Sequence, residues 1–197
     1  MRKGEQTKLR IIEKSAVLFN EKGYTGTTMQ DIIEATGLTK GAVYRSFASK
    51  DEIAIEAFQY AGQVLWQHFS AAVEHHNTAT GKILAMCDVY RDTVHNPPIQ
   101  GGCPFLNTAV ESDHSFPVLK DHALGAYTNM LGYIESLLVQ GVNNGEFQAD
   151  MNTESVASFI FSSIEGGIMA SRLTQDNRHV AYAMQHIERL LSTYKAQ

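Results

Sequence analysis

The sequence predicts an all-α fold, in which a three-helix N-terminal head is joined by a long helix to an all-helical remainder. Apolar residues recur at the spacing of helix faces along most of the 197 residues. Only four prolines occur, so long stretches lack the residue that breaks helices. The alternating apolar pattern of a β-strand is not found in any segment.

Charge is divided unevenly along the chain. Residues 1–50 hold nine Lys or Arg against five Asp or Glu, so this head carries a charge of +4. The remaining residues carry −9, which gives the whole chain its net charge of −5. A basic head on an acidic body favours contact with a polyanion, because phosphate affinity depends on where the cations lie.

The expected compartment is the cytoplasm. The N-terminal residues are charged and no apolar signal-peptide stretch follows them. The most apolar window, residues 156–170, is interrupted by serines and a glutamate and is too short to span a bilayer. Two cysteines, Cys87 and Cys103, do not suggest a disulfide framework. We therefore expect no membrane contact.

The first two helices have clear end signals. The first runs from about residue 5 to 22 and ends at Gly23, a residue suited to left-handed geometry. The second follows Thr28, whose hydroxyl can cap free amides, with Asp31 near the positive end of the helix dipole. Its buried side is expected at Ile32, Ile33 and Ala35.

The third helix is short and follows a tight turn at Gly37. Thr39 is its expected cap, and Val43 and Phe47, four residues apart, are expected to face inward. Ser49 and Glu52 then form a capping-box pattern at the start of the long connecting helix. The residues left facing outward on the third helix are Lys40, Gly41, Ala42, Tyr44, Arg45 and Ser46.

Three short helices with a glycine turn between the second and third have the spacing of a helix-turn-helix. A recognition helix must keep its outer face polar, small and basic to enter the major groove of DNA. The outward residues of the third helix meet this requirement with two cations, two hydrogen-bond donors and two small residues. The alternative is an ordinary solvated face that carries a few cations.

The stretches FNEKGYTGTTMQDII (19–33), GLTKGAVYRSF (37–47) and SKDEI (49–53) lie in a nearly continuous match over residues 7–55. This match resembles the DNA-binding head of TetR/AcrR-family regulators. The resemblance implies a homodimer, usually a repressor, bound to a palindromic double-stranded DNA operator. It also implies that a small-molecule effector in the second domain releases the operator, and that the chain is not an enzyme.

The resemblance also implies roles for single residues. Thr28 and Lys50 are expected to contact phosphate at the starts of the second and fourth helices, and Tyr44 is expected to contact phosphate as well. The residues expected to meet base edges or phosphates include Lys40, Gly41 and Arg45, with Thr39, Ala42 and Ser46 completing the expected DNA-binding set.

The chain departs from the family pattern in two ways. Arg45 and Ser46 stand where the family often has Tyr-His, and Ala42 replaces a frequent hydroxyl residue. The base preference at these positions therefore does not transfer from the family.

The remainder, residues 51–197, is predicted to be a ligand-sensing and dimerisation domain, separate from the head at 1–50. Its helices are expected over about 82–95, from Pro104 onward, and over about 116–142, 153–173 and 178–194. The last two helices are expected to form the dimer interface, because each carries an apolar or small-residue stripe. These stripes are Phe159, Ser163 and Gly167, and Val180, Met184, Ile187 and Leu191.

Gly101-Gly102-Cys103-Pro104 is the unusual local feature of this second part. One interpretation is a tight turn followed by proline at the first position of a helix. The alternative is a sensor thiol, because a cysteine at a helix N-terminus gains thiolate character. A redox- or electrophile-sensing regulator that uses Cys103 is accordingly the alternative to non-covalent effector binding.

Other functions have weaker support in the sequence. The eight histidines show no spacing typical of a metal site, and no nucleophile elbow or phosphate-binding loop occurs. No catalytic residue, metal or cofactor is therefore expected. The remote alternative is a helical enzyme or scaffold that carries a borrowed head without binding DNA.

Overall fold

The computed structural model describes residues 2–196, and for residues 113–115 and 117 it describes the backbone alone. Nine α-helices run through this part of the chain, where the only β contact is an isolated antiparallel bridge between Phe147 and Lys195. The predicted all-α class is confirmed. The helices are α1 Lys3–Gly26, α2 Met29–Thr36, α3 Lys40–Ser46, α4 Lys50–Val73, α5 Ala79–Asp88, α6 Pro104–Ser115, α7 Pro117–Asn143, α8 Thr153–Thr174 and α9 Arg178–Thr193.

Backbone contacts divide the chain into two compact units. Unit 1 consists of Met1–Leu65 and Ile99–Leu124, and unit 2 consists of Trp66–Pro98 and Gly125–Gln197. Helices α4 and α7 each belong partly to both units. Unit 1 therefore contains the predicted head together with a segment of 26 residues from the second half of the chain. The predicted boundary at residue 50 stays a prediction.

The core of the head in unit 1 takes one or two residues from each of its helices. The buried side chains of Ile11, Ile32, Val43, Phe47 and Ile53 form this cluster. Val43 and Phe47 are at most 2% exposed, which confirms the predicted inward face of α3. The cluster fixes α3 against α1 and α4 and leaves its other face free.

The expectation that Ala35 lies on the buried side of α2 is wrong. Ala35 is exposed, whereas Thr36 is fully buried one turn after Ile32. Thr36 tolerates burial because its hydroxyl donates to the carbonyl of Ile33 at 3.0 Å. A polar residue whose hydroxyl is satisfied inside its own helix can occupy a core position.

The end signals of the short helices are confirmed. Gly23 has φ +75° and interrupts the helical conformation of α1, and Gly37 has φ +63° at the end of α2. Thr39 Oγ1 accepts a hydrogen bond from the amide of Ala42 at 3.3 Å. Ser49 accepts from the amide of Glu52 at 3.2 Å. The Glu52 carboxylate, however, accepts from Ala48 at 2.8 Å rather than from the Ser49 amide.

The helix expected over residues 82–95 is shorter and begins earlier, as α5 Ala79–Asp88. Residues 89–95 form turns that are tied to the start of α9. The Asn177 side chain donates to Asp92 Oδ1 at 2.6 Å and accepts from the amide of Val94 at 3.1 Å. Because these bonds link residues more than 80 positions apart, the local sequence pattern does not show them.

Helices α8 and α9 pack tightly against each other inside unit 2. A Cβ atom added to Gly167 would lie 3.1 Å from the side chain of Ala183 and 3.1 Å from the backbone of Val180, so α9 would have to shift slightly to admit a side chain there. Val180, Ile187 and Leu191 are each 0% exposed in the core that results. These side chains are already used within one chain, and their assignment to a dimer interface stays a prediction.

Candidate DNA interface

Helix α3 presents a polar, basic face to solvent. Lys40, Gly41, Tyr44 and Arg45 are exposed, and the Tyr44 side chain is 47% exposed. These residues lie opposite the buried face of α3, as the helical spacing predicts. A face of this kind suits a polyanionic surface.

Ala42 and Ser46 lie at the border of this face and are half-buried. The Ser46 hydroxyl donates to the carbonyl of Ala42 at 3.0 Å, so its hydrogen is used inside the helix. Thr39 is exposed, and its hydroxyl caps the helix by accepting from the amide of Ala42. The structure thus assigns local roles to these three residues, and their contacts with DNA stay predictions.

The long side chains of α3 are arranged by their neighbours. Lys40 Nζ lies 5.7 Å from the centre of the Tyr44 ring, within the range of a cation–π contact. Arg45 Nη1 lies 3.7 Å from the position that a Cβ on Gly41 would occupy. A Cβ atom at position 41 would therefore make an ordinary van der Waals contact with the Arg45 guanidinium, so this arrangement does not itself require glycine.

Thr28 is part of a complete capping box. Its hydroxyl accepts from the amide of Asp31 at 3.1 Å, while the Asp31 carboxylate accepts from the amide of Thr28 at 2.8 Å. Lys22 lies 2.8 Å from the same carboxylate. The bonds from Lys22 and then Thr28 hold the pKa of Asp31 well below its usual range. Thr28 is exposed at the start of α2, and its phosphate contact stays a prediction.

Lys50 has a structural role that the sequence did not reveal. Its Nζ donates to the carbonyls of Tyr24 and Thr27, each at 2.9 Å, and lies 4.0 Å from the centre of the Tyr24 ring. The Tyr24 hydroxyl in turn donates to Asp51 at 2.5 Å, and burial together with this bond raises the pKa of Tyr24 to about 12. Lys50 therefore joins the start of α4 to the end of α1. Its phosphate contact stays a prediction.

The predicted turn before α6 is confirmed. Gly101 and Gly102 have φ values of +101° and +95°, and Pro104 is the first residue of α6. Cys103 precedes it and is 4% exposed, so a reagent reaches its thiol only if the turn opens. Burial raises the pKa of Cys87 to about 12, which keeps that thiol protonated and unreactive. The sensor role of Cys103 stays a prediction.

The outward face of α8 carries exposed apolar side chains. Phe159, Met169 and Leu173 are 49%, 55% and 81% exposed, and Tyr182 of α9 is 51% exposed. Of the other residues expected at a dimer interface, Ser163 is half-buried on α8. Met184 is half-buried and lines an open groove between α5 and α9.

A small, partly open cavity lies between α4, α5, α7 and α8 in unit 2. Its volume is about 30 Å³, which is room for a water-sized group. Phe69, Met86, Ile134 and Ile160 give it apolar walls, and the buried Glu165 adds a carboxyl group. Among the described residues, no three His, Cys, Asp or Glu side chains come together as metal ligands. No helix in the described part of the chain is long and apolar enough to cross a membrane.

Two family models match the chain. The model of bacterial regulatory proteins of the tetR family matches residues 11–57, and that of the tetracyclin repressor-like C-terminal domain matches residues 79–187. The chain belongs to the TetR family. The predicted family and helix-turn-helix head are thereby confirmed, as is the expectation that the chain is a DNA-binding transcriptional regulator rather than an enzyme.

Solved structures extend the match over the whole chain, and curated relatives extend it over most of the chain. A TetR transcriptional regulator from Chloroflexus aurantiacus J-10-FL is 34% identical, with a TM-score of 0.94 over 99% of this chain and 98% of that one. A TetR-family regulator from Cytophaga hutchinsonii is 30% identical, with a TM-score of 0.93 over 100% and 98%. The transcriptional repressor DhaR from Mycobacterium sp. (strain GP1) is 22% identical over 84% of this chain and 82% of its own length.

Proposed function

We propose that this TetR-family regulator is a homodimeric repressor that a small-molecule effector releases from a palindromic operator. The observation that carries the proposal is the exposed polar face of α3, held on a fully buried apolar core. The sign of regulation is supported by two curated relatives that are named as transcriptional repressors, DhaR and, from Mycobacterium tuberculosis, KstR2. The proposed place of action is the cytoplasm, where a bacterial chromosome lies.

In the proposed complex, α3 of each subunit enters the major groove. Arg45 and Lys40 reach base edges, because a long cationic side chain can bond to guanine there. Tyr44 contacts phosphate, as does the start of α2 at Thr28. Lys50 contributes mainly by holding the end of α1, since two of its three ammonium hydrogens point to backbone carbonyls.

The proposed dimer uses the outward faces of α8 and α9 rather than the stripe buried between them. Phe159, Met169 and Leu173 are exposed large apolar side chains on one helix, which is unusual for a free surface. Gly166 lies among them and is also exposed, so it permits a close approach of a second helix. A second copy of the chain that covers these residues removes them from water.

The proposed effector site is the cavity of unit 2. Its walls are mostly apolar, and its volume of about 30 Å³ is far below that of a typical small-molecule site. An effector must therefore displace side chains such as Met86 and Met130, which are flexible enough to move. Such a displacement changes the packing around α4, the helix that also carries Lys50.

The test is a selection of genomic fragments with the purified protein, repeated in the presence of candidate metabolites. The expected result is enrichment of an inverted repeat that is lost when one of the metabolites is added. Arg45→Glu is the control, because it reverses an exposed charge on α3 and leaves the buried core intact. The proposal is contradicted if the parent protein enriches no inverted repeat more strongly than Arg45→Glu does.

A further inference from the structure

Two asparagines join α1 to the loop that precedes α6, within unit 1. The Asn20 side chain is buried and donates to the carbonyls of Gln100 and Gly102 at 2.8 and 2.9 Å. The Asn107 side chain donates to Asn20 Oδ1 and to the carbonyl of Gly101, each at 2.9 Å. Buried amides with satisfied hydrogen bonds fix a unique arrangement, because any other leaves polar groups unpaired.

Gly101 is required for this contact. Its φ is +101°, and a Cβ atom there would lie 2.5 Å from the backbone oxygen of Asn20. The backbone of α1 cannot yield as the end of a flexible side chain can. Gly145 provides a comparison, because its φ is +71° but a Cβ atom would meet nothing within 4 Å.

Glu111 of α6 makes a second contact, at the point where α1 loses its helical geometry. Its two carboxylate oxygens accept from the backbone amides of Tyr24 and Thr25 at 2.6 and 2.7 Å. Gly23 makes room for this group, since a Cβ atom there would lie 2.7 Å from Glu111 Oε2. Hydrogen bonds to an ionised acceptor are stronger than those between neutral groups.

These contacts lead to the surface expected to bind DNA. The backbone of residues 24–27 is held by Glu111 at its amides and by Lys50 at the carbonyls of Tyr24 and Thr27. Thr28, which caps α2, is the next residue. The position of the start of α2 therefore depends on a carboxylate that lies more than 80 residues further along the chain.

We infer that Asn20, Asn107 and Glu111 are positioning residues for operator binding, a conclusion that rests on the proposed function. They form a latch that holds the end of α1 and, through residues 24–27, the phosphate-contacting start of α2. None of the three contacts DNA in the proposed complex. Loss of the latch misplaces the amides and the hydroxyl at the start of α2, so fewer phosphates are bound in each half-site.

The first test compares Glu111→Gln with Glu146→Gln. Glu146 is a matched control, because its carboxylate accepts from the backbone amides of Ala79 and Thr80 in unit 2 at 2.6 and 2.9 Å. In each variant one amide loses its acceptor and faces the NH2 group of glutamine. Glu111→Gln is expected to weaken operator binding by about ten-fold, and Glu146→Gln by less than about two-fold.

The salt dependence of binding separates positioning from a merely structural role. The active fraction is first determined by stoichiometric titration. Glu111→Gln is then expected to reduce the magnitude of the slope of log K against log salt by about one, which corresponds to the loss of one phosphate contact. A variant that only unfolds more readily keeps the parental slope in its folded fraction. Hydrogen exchange should also be faster at the amides of Tyr24 and Thr25 in Glu111→Gln.

A second pair, Gly101→Ala and Gly145→Ala, tests the latch without changing a charge. Both substitutions strain a positive φ, but only Gly101→Ala is expected to weaken operator binding, by about ten-fold or more. Equal operator affinity and equal salt slopes in the parent, Glu111→Gln and Gly101→Ala overturn the latch and leave the proposed function standing. A parent protein that selects no sequence overturns both.

Discussion

Helices α3 and α8 expose faces of opposite character. The free face of α3 carries Lys40, Arg45 and an exposed tyrosine beside small residues. The free face of α8 carries Phe159 and Leu173 among small residues, on a helix whose other side is already buried in unit 2.

The difference indicates which kind of surface each helix face suits. Cations and small residues allow close approach to a polyanion and gain free energy from counterion release. Exposed apolar side chains gain free energy when a second apolar surface covers them. We therefore propose DNA as the partner of α3 and a second copy of the chain as the partner of α8.

The largest expected effect is at the proposed dimer surface. Met169→Glu places a charge among the exposed apolar side chains of α8 and should give monomers in light scattering. Operator affinity should fall by about 100-fold or more, because two linked heads bind far better than one. Val110→Glu is the control, since Val110 is 71% exposed in unit 1 and should not affect assembly. A dimeric Met169→Glu protein places the interface elsewhere.

On the α3 side of the comparison, Arg45→Ala should weaken operator binding by about 10- to 100-fold and relax preference at one base position. Lys14→Ala, which removes an exposed cation of α1, is the control and should lower affinity only slightly. Binding to the operator and to single-base variants measures both effects. Equal losses on all sequences remove Arg45 from base reading and leave it a phosphate contact.

The buried and exposed faces of α9 should separate stability from assembly. Ile187 is 0% exposed, so Ile187→Ala should lower the free energy of unfolding by about 2–5 kcal/mol without dissociating folded dimers. Tyr182 is 51% exposed, so Tyr182→Ala should weaken the dimer with little loss of monomer stability. Urea unfolding and concentration-dependent light scattering distinguish the two results. If Ile187→Ala dissociates the dimer and Tyr182→Ala does not, the buried face rather than the exposed face of α9 takes part in assembly.

A smaller effect is expected from pH at the start of α2. Because the pKa of Asp31 is lowered in the folded state, its contribution is complete above the ordinary aspartate value near 4 and is lost as the pH falls. The amide shift of Thr28 should therefore change only in strongly acidic solution. Asp31→Asn should remove this titration. An amide shift that titrates at or above pH 4 contradicts the capping role.

The smallest effect is expected at Cys103, which lies in the turn beside the latch. Because serine fits the same space, Cys103→Ser should bind operator within about two-fold of the parent and respond equally to effector. Operator release by oxidants is then compared among the parent, Cys103→Ser and Cys87→Ser. Release that is lost only in Cys103→Ser supports the thiol sensor instead.

Local features of the head were predictable from the sequence, because their signals lie within a few residues. The threonine caps at Thr28 and Thr39 and the glycine turns at Gly23 and Gly37 are in the predicted places. The same holds for the inward and outward faces of α3, which follow from helical spacing. Short-range chemistry determines these features, so a single sequence reveals them.

Features that depend on distant packing were not predictable. Helix α9 has one apolar stripe, and its periodicity is the same whether the stripe meets its own unit or a partner. Three residues of this stripe, Val180, Ile187 and Leu191, are buried against their own unit. Glu111 shows no local signal, because its partners lie more than 80 residues away. At the end of α2, Thr36 is buried and Ala35 is exposed. The sequence pattern did not show this, because the Thr36 hydroxyl is satisfied inside its own helix.

The most direct test of the central claim is a hydroxyl-radical footprint of the protein on a DNA fragment that it selects. The account predicts two protected half-sites related by two-fold symmetry, with centres about one helical turn or a multiple of it apart. Protection should disappear on raising the salt and in Arg45→Glu. Uniform, sequence-independent coverage of the fragment contradicts the assignment of α3 as a recognition helix.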